Sequence, residues 1–184
     1  MTRLVIGTHG AVSQALAEGA RFASSPARTT VREIVRRDRP TELAIVALPP
    51  SLGPLGAVET TELDRLLGET LTAGSAAIQT LTELDNSARV VIVCPTGGLL
   101  PDHCDGVRSM VSAGLVMLME VASTLPGINV NAILVADGAA PAEVATVANL
   151  VLGDTAESIN GTTIRMDGGR DAVLAAETRT EEMD

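Results

Sequence analysis

The run Arg89-Val90-Val91-Ile92-Val93 decides the architecture. After its first residue it shows no alternation of polar and apolar positions. A strand of this kind has both faces buried, as in a parallel sheet covered on two sides. Upstream, residues 60–84 carry Leu63, Leu66, Leu67, Leu71, Gly74, Ile78, Leu81 and Leu84 at a helical period. Further upstream, Leu43-Ala44-Ile45-Val46-Ala47-Leu48 reads as a second buried strand. Pro49-Pro50 stops it, and a loop rich in Gly and Pro follows over 51–56. Downstream, residues 105–125 form a helix that is apolar nearly all round, through Met110, Val111, Leu115, Val116, Met117, Leu118, Met119 and Val121. Such a helix is expected to bury two faces, one on its own sheet and one on another subunit. Pro126-Gly127 ends it. A strand over 129–135, a helix over 141–152 and a strand over 162–166 complete the C-terminal half. The N-terminal half opens with a strand over 3–6, the turn Gly7-Thr8-His9-Gly10 and an amphipathic helix over 11–23. Residues 30–35 read as a further strand. Strand and helix alternate throughout, which predicts an α/β domain with a mostly parallel sheet covered on both faces.

Composition sets limits on the chemistry. The chain has 184 residues, of which 46% are hydrophobic, which suits one domain with one sizeable core. Residues 1–175 form that domain, and 176–184 read as an acidic, flexible tail. There is no tyrosine, and each of the 13 basic residues is arginine, so lysine is absent as well. Phe22 is the single aromatic residue, and the core must be aliphatic. A net charge of −10 argues against nucleic-acid binding, which needs a basic face to neutralise phosphates. The cluster Arg32, Arg36, Arg37 and Arg39 reads as a solvated patch. No run of about 18 apolar residues exists, so no membrane span is expected. The N-terminal apolar run is too short for a signal peptide, and Cys94 and Cys104 make no disulfide framework. A cytoplasmic location is the resulting expectation.

Three stretches, taken together, resemble the short-chain dehydrogenase/reductase family. Gly161-Thr162-Thr163-Ile164-Arg165-Met166-Asp167-Gly168-Gly169 is similar to that family's closing strand and its Asp-Gly-Gly end. Gly127-Ile128-Asn129-Val130-Asn131-Ala132-Ile133 is similar to its sixth strand. Residues 43–125 follow the family's order of strand, Gly/Pro loop, long helix, strand, Gly-Gly loop and second long helix. The resemblance covers most of the chain. It implies a doubly wound, Rossmann-like three-layer sandwich, here truncated, that binds a nicotinamide dinucleotide at the carboxyl edge of the sheet. It also implies a dimer or tetramer joined through the two long helices and the last strand.

The chemical positions depart from the family. Its reaction uses a Tyr as acid/base, a Lys four residues later, a Ser that positions the substrate oxygen, and an Asn on the preceding helix. Matching the helices puts Arg108 at the Tyr position and Ser112 at the Lys position. The Ser position falls on Pro95, between Cys94 and Thr96, and the Asn position on Thr70. Arginine stays protonated at working pH and serves as neither general acid nor base. In the dinucleotide turn, the glycines expected after Gly7 are replaced by Ala11 and Ser13, with Gly10 between. No second strand with a following acidic residue is evident, and Asp38 is a poor candidate for the ribose contact. Leu48-Pro49-Pro50 stands where the family keeps Asn-Ala-Gly, and Val135-Ala136-Asp137-Gly138 runs almost at once into the helix at Pro141, without a substrate lid. No cofactor is expected, with NAD(P) as the alternative, and no metal.

Two other arrangements carry chemistry. Cys94, Asp102, His103, Cys104 and Asp105 form a polar constellation, with His9 in the first turn. The plain reading is a loop with helix-capping aspartates and a buried cysteine. Arg108 is either part of a structural ion pair or a receptor for a carboxylate or phosphate. The resulting expectation is a non-catalytic subunit that assembles with an active homologue of the family, or with itself as a homodimer or tetramer. Its interface would comprise Leu67, Leu71, Ile78, Met110, Gly114, Met117, Leu118 and Val121. The alternative is an enzyme of this fold with a non-standard site around Arg108, Cys94 and His103.

Overall fold

The uninterrupted apolar strands arise because alternate residues enter two different cores. In the computed structural model, which describes residues 2–8, 10–24, 28–98 and 105–169, six strands form one parallel sheet. They are β1 (Arg3–Gly7), β2 (Arg21–Ser24), β3 (Glu42–Val46), β4 (Ala88–Pro95), β5 (Ile128–Val135) and β6 (Thr163–Met166), in the order β2-β1-β3-β4-β5-β6. The register sets Val5 beside Ala44, Ala44 beside Val91, and Val91 beside Asn131. Leu4, Ile6, Leu43, Ile45, Val90, Ile92, Cys94 and Leu134 face one core. It is closed by α2 (Arg28–Asp38), by α3 and α4 (Thr60–Leu67 and Ala73–Glu83), and by α5 (Gly106–Ala122). Val5, Val46, Val91, Val93, Ile133 and Val135 face the other core, under α1 (Ala11–Leu16) and α6 (Pro141–Leu152). This is the expected doubly wound three-layer sandwich, with the chain reversing direction across the sheet between β1 and β3.

Asn131 is the polar exception in the middle of β5, and it is fully buried. Its Nδ2 donates to the Ile159 carbonyl at 2.8 Å, and its Oδ1 accepts from the Thr162 N–H at 3.0 Å. Those bonds fix the loop that delivers β6 to the sheet edge.

Two N-terminal expectations are corrected. The helix expected over 11–23 stops at Leu16, and β2 follows after Gly19 turns the chain at φ +73°. Residues 30–35, expected as a strand, lie inside α2. Val31 and Val35, four residues apart, enter the core while Arg28, Arg32 and Arg36 line up outside. The β-branched residues give way to tertiary packing. Arg32 and Arg36 donate to Glu83, and Arg28 and Arg32 to Gln79, so the basic patch is tied to α4.

The helix expected over 60–84 is continuous but passes through a π-helical turn at Gly68–Thr72. Among the described residues, no helix is long and apolar enough to cross a membrane.

Candidate functional site

The carboxyl edge of the sheet is built by the ends of β1, β3, β4 and β5, the first turn of α5 and the turn after β5. Gly7 ends β1 at φ +144°. A Cβ there would lie 1.9 Å from the Val46 carbonyl oxygen, so only glycine fits. Thr8 continues the link between the strands: its N–H donates to the Val46 carbonyl at 2.9 Å, and its Oγ1 accepts from the Leu48 N–H at 3.2 Å. In the following turn, the Gly10 N–H donates to Ser13 Oγ at 2.9 Å, and the Ser13 hydroxyl returns to the Gly10 carbonyl at 2.9 Å. Ser13 is fully buried, and α1 has only six residues.

The four positions matched to family chemistry are all engaged in structural contacts. Thr70 is buried within the π-helical turn, where its hydroxyl donates to the Leu66 carbonyl at 2.6 Å. Pro95 ends β4, and its carbonyl accepts from the Ser112 hydroxyl. Ser112 is fully buried, with its Oγ 3.4 Å from Cys94 Sγ. Burial pushes the Cys94 thiol up to about 11, and the Ser112 contact offsets this only in part. The thiol is therefore not an attacking group near neutral pH. In a Cys104→Ser variant, Cys94 is expected to react with iodoacetamide at least about 100-fold more slowly in the native chain than in urea, as followed by mass spectrometry. A native rate close to the denatured one would show that the thiol is reachable.

Arg108, in the first turn of α5, is 13% exposed and faces two carboxylates. Its Nη1 and Nη2 donate to Asp137 Oδ2 and Oδ1 at 3.0 and 2.7 Å, a bidentate pair, and Nη1 also reaches Asp105 Oδ2 at 3.1 Å. These partners, Asp137 foremost, raise the guanidinium further above its ordinary value. Asp105 occupies the cap position of α5 but makes no side-chain capping bond; it turns to Arg108 instead. The expected capping role of Asp105 is thus corrected. Asp102, His103, Cys104 and His9 lie outside the described residues. Asp137 is the residue that reading the sequence did not single out. The Asp-Gly turn directly after β5, neighbouring β4 in a parallel sheet, was the available signal.

The expected interface set divides in two. Ile78 belongs to the chain's own core. Leu71 fits over Gly114, where a Cβ would meet its Cδ2 at 2.9 Å, and Leu118 lies over Gly74. These contacts, with half-buried Leu67, join α3 and α4 to α5 within one chain. Met117 and Val121 point outward, each 58% exposed, with Met110 half-buried on the same helix.

Between these elements lies a cleft of about 390 Å³, lined by Val12, Leu48, Pro49, Val135, Arg108 and Asp137 among others. Among the described residues no group of three or more His, Cys, Asp or Glu could hold a metal ion.

No protein-family model matches the sequence, and no curated protein matches it. Solved structures do match in three dimensions. A short-chain dehydrogenase/reductase family oxidoreductase from Burkholderia thailandensis superposes with a TM-score of 0.78 and 19% identity, covering 97% of this chain and 97% of that one. A short-chain dehydrogenase/reductase from Serratia marcescens gives 0.78 and 18%, over 91% of this chain and 96% of that one. BdcA, solved in complex with NADPH, gives 0.77 and 16%, over 91% and 93%. At these identities the likeness is one of fold, and the chain has the Rossmann-like α/β fold of the short-chain dehydrogenase/reductase structures.

Proposed function

We propose that this chain is a non-catalytic subunit of short-chain dehydrogenase/reductase type that works by assembling with a protein of the same fold. The observation that carries this reading is the Arg108–Asp137–Asp105 cluster, at the position that matching the helices assigns to the family's acid/base tyrosine. A guanidinium held between two carboxylates keeps its protons. Ser112, matched to the lysine position, is fully buried and donates to the Pro95 carbonyl.

A nicotinamide dinucleotide does not fit the turn in the family manner. The pyrophosphate is bound there by backbone N–H groups approached without side chains. Here the Gly10 N–H is committed to Ser13, Ala11 adds a Cβ, and the Ser13 side chain fills the third glycine position. Pro49 and Pro50 offer no N–H at the adjoining strand end. Fluorescence titration with NADPH is expected to show no saturable binding up to millimolar concentration. Saturation in the micromolar range would contradict this reading.

The outer face of α5 supplies the assembly surface. Met117 and Val121 present apolar area that a protomer alone leaves in water. A partner with the same fold would meet it in a quasi-two-fold arrangement. That partner is a catalytically competent member of the family, or a second copy where none is present.

A further inference from the structure

The cleft at the carboxyl edge is lined by apolar side chains together with an ion pair between two of its own residues. Val12, Leu48, Pro49 and Val135 supply apolar lining, and Arg108 and Asp137 line the same cleft. The two carboxylates on Arg108 are not equivalent. Asp105 is 16% exposed and accepts from Nη1 alone, while Asp137 is 79% exposed and accepts from both Nη1 and Nη2. Arg108 Nε is buried with no hydrogen-bond partner among the described residues. The Nη1–Nη2 fork, whose carboxylate partner is the exposed one, is therefore the face through which an external anion would meet this guanidinium.

We infer that Arg108 is the receptor for a small organic monocarboxylate with an apolar body, and that Asp137 is its built-in surrogate, an autoinhibitory contact that the ligand displaces. Planar bidentate geometry selects a carboxylate. A dianionic phosphate would be repelled by Asp105, whose Oδ2 already lies 3.1 Å from Nη1. An ion pair with so exposed a partner is weakly held. Asp137 sits in a short turn beside Gly138, which takes φ +86°. What the ligand gains over Asp137 is burial of its apolar body against the cleft wall, about fourfold in affinity per methylene. The site is separate from the outer face of α5, so it holds whether or not the chain assembles as proposed.

Hexanoate serves as the probe, titrated into the full chain by calorimetry, with the Arg108 Nε–H resonance followed by NMR. Asp137→Ala is expected to bind hexanoate at least tenfold more tightly than the unmodified chain. Arg108→Lys in that background keeps the charge but loses the fork, and is expected to lose at least tenfold. Hexanol and inorganic phosphate are expected not to bind. Equal affinity with and without Asp137, binding of hexanol as strong as that of hexanoate, or an unmoved Arg108 resonance would each overturn the inference. Far-UV circular dichroism checks both variants for folding. Asp137→Asn, which keeps the side-chain volume, gives the same comparison should the alanine variant not fold.

Discussion

Gly7→Ala is expected to abolish folding or leave a chain destabilised by about 3 kcal/mol or more, a large part of the stability of a domain this size. Two causes add. The residue sits at φ +144°, where a side chain is strained, and the new Cβ would lie 1.9 Å from the Val46 carbonyl oxygen. The obstruction is backbone in the neighbouring strand, so no rotamer change relieves it. Moving β3 away would break the Thr8 links to Val46 and Leu48. Gly10→Ala is the control, because nothing lies within 4 Å of its Cβ position. Urea unfolding followed by circular dichroism measures both. A loss below about 1 kcal/mol for Gly7→Ala would mean that β1 and β3 are not joined in this way.

Ser112→Lys is the second large effect. It restores the residue type that the family uses at this position, yet it is expected to destabilise the chain by about 3–5 kcal/mol. The Ser112 side chain is fully buried between the Pro95 carbonyl and Cys94, and Cys94 offers no charge to pair with an ammonium. Ser112→Ala is expected to cost about 1 kcal/mol, the worth of one hydrogen bond. If lysine were tolerated within about 1 kcal/mol, the space between α5 and the end of β4 would not be closed as described.

How much of this was legible beforehand depends on whether the signal was local. Arg89–Val93 and Leu43–Leu48 announce buried parallel strands because a strand covered on both sides has no polar positions. The helix around Ile78 follows from its period, and the one around Leu115 from its long, nearly all-apolar run. The β2–α2 segment was misread because its four-residue strand is too short to show a pattern, and because Thr29-Thr30-Val31 favours a strand locally while the core requires a helix. At the site, the loss of tyrosine and lysine could be counted from the sequence. The Arg108–Asp137 pair could not, because it spans 29 positions and depends on β4 and β5 being neighbours. Ile78 was assigned to an interface for a similar reason: period shows which face of a helix is apolar, but not whether the cover is the same chain or another.

The assembly claim is tested most directly by sedimentation equilibrium of the unmodified chain and of the double variant Met117→Glu/Val121→Glu, each alone and together with an active short-chain dehydrogenase/reductase homologue from the same source. The unmodified chain is expected to sediment as an oligomer, with itself or with that homologue. The double variant should sediment as a folded monomer in both settings. A monomeric unmodified chain in both settings, or a double variant that assembles as well as the original, would contradict it.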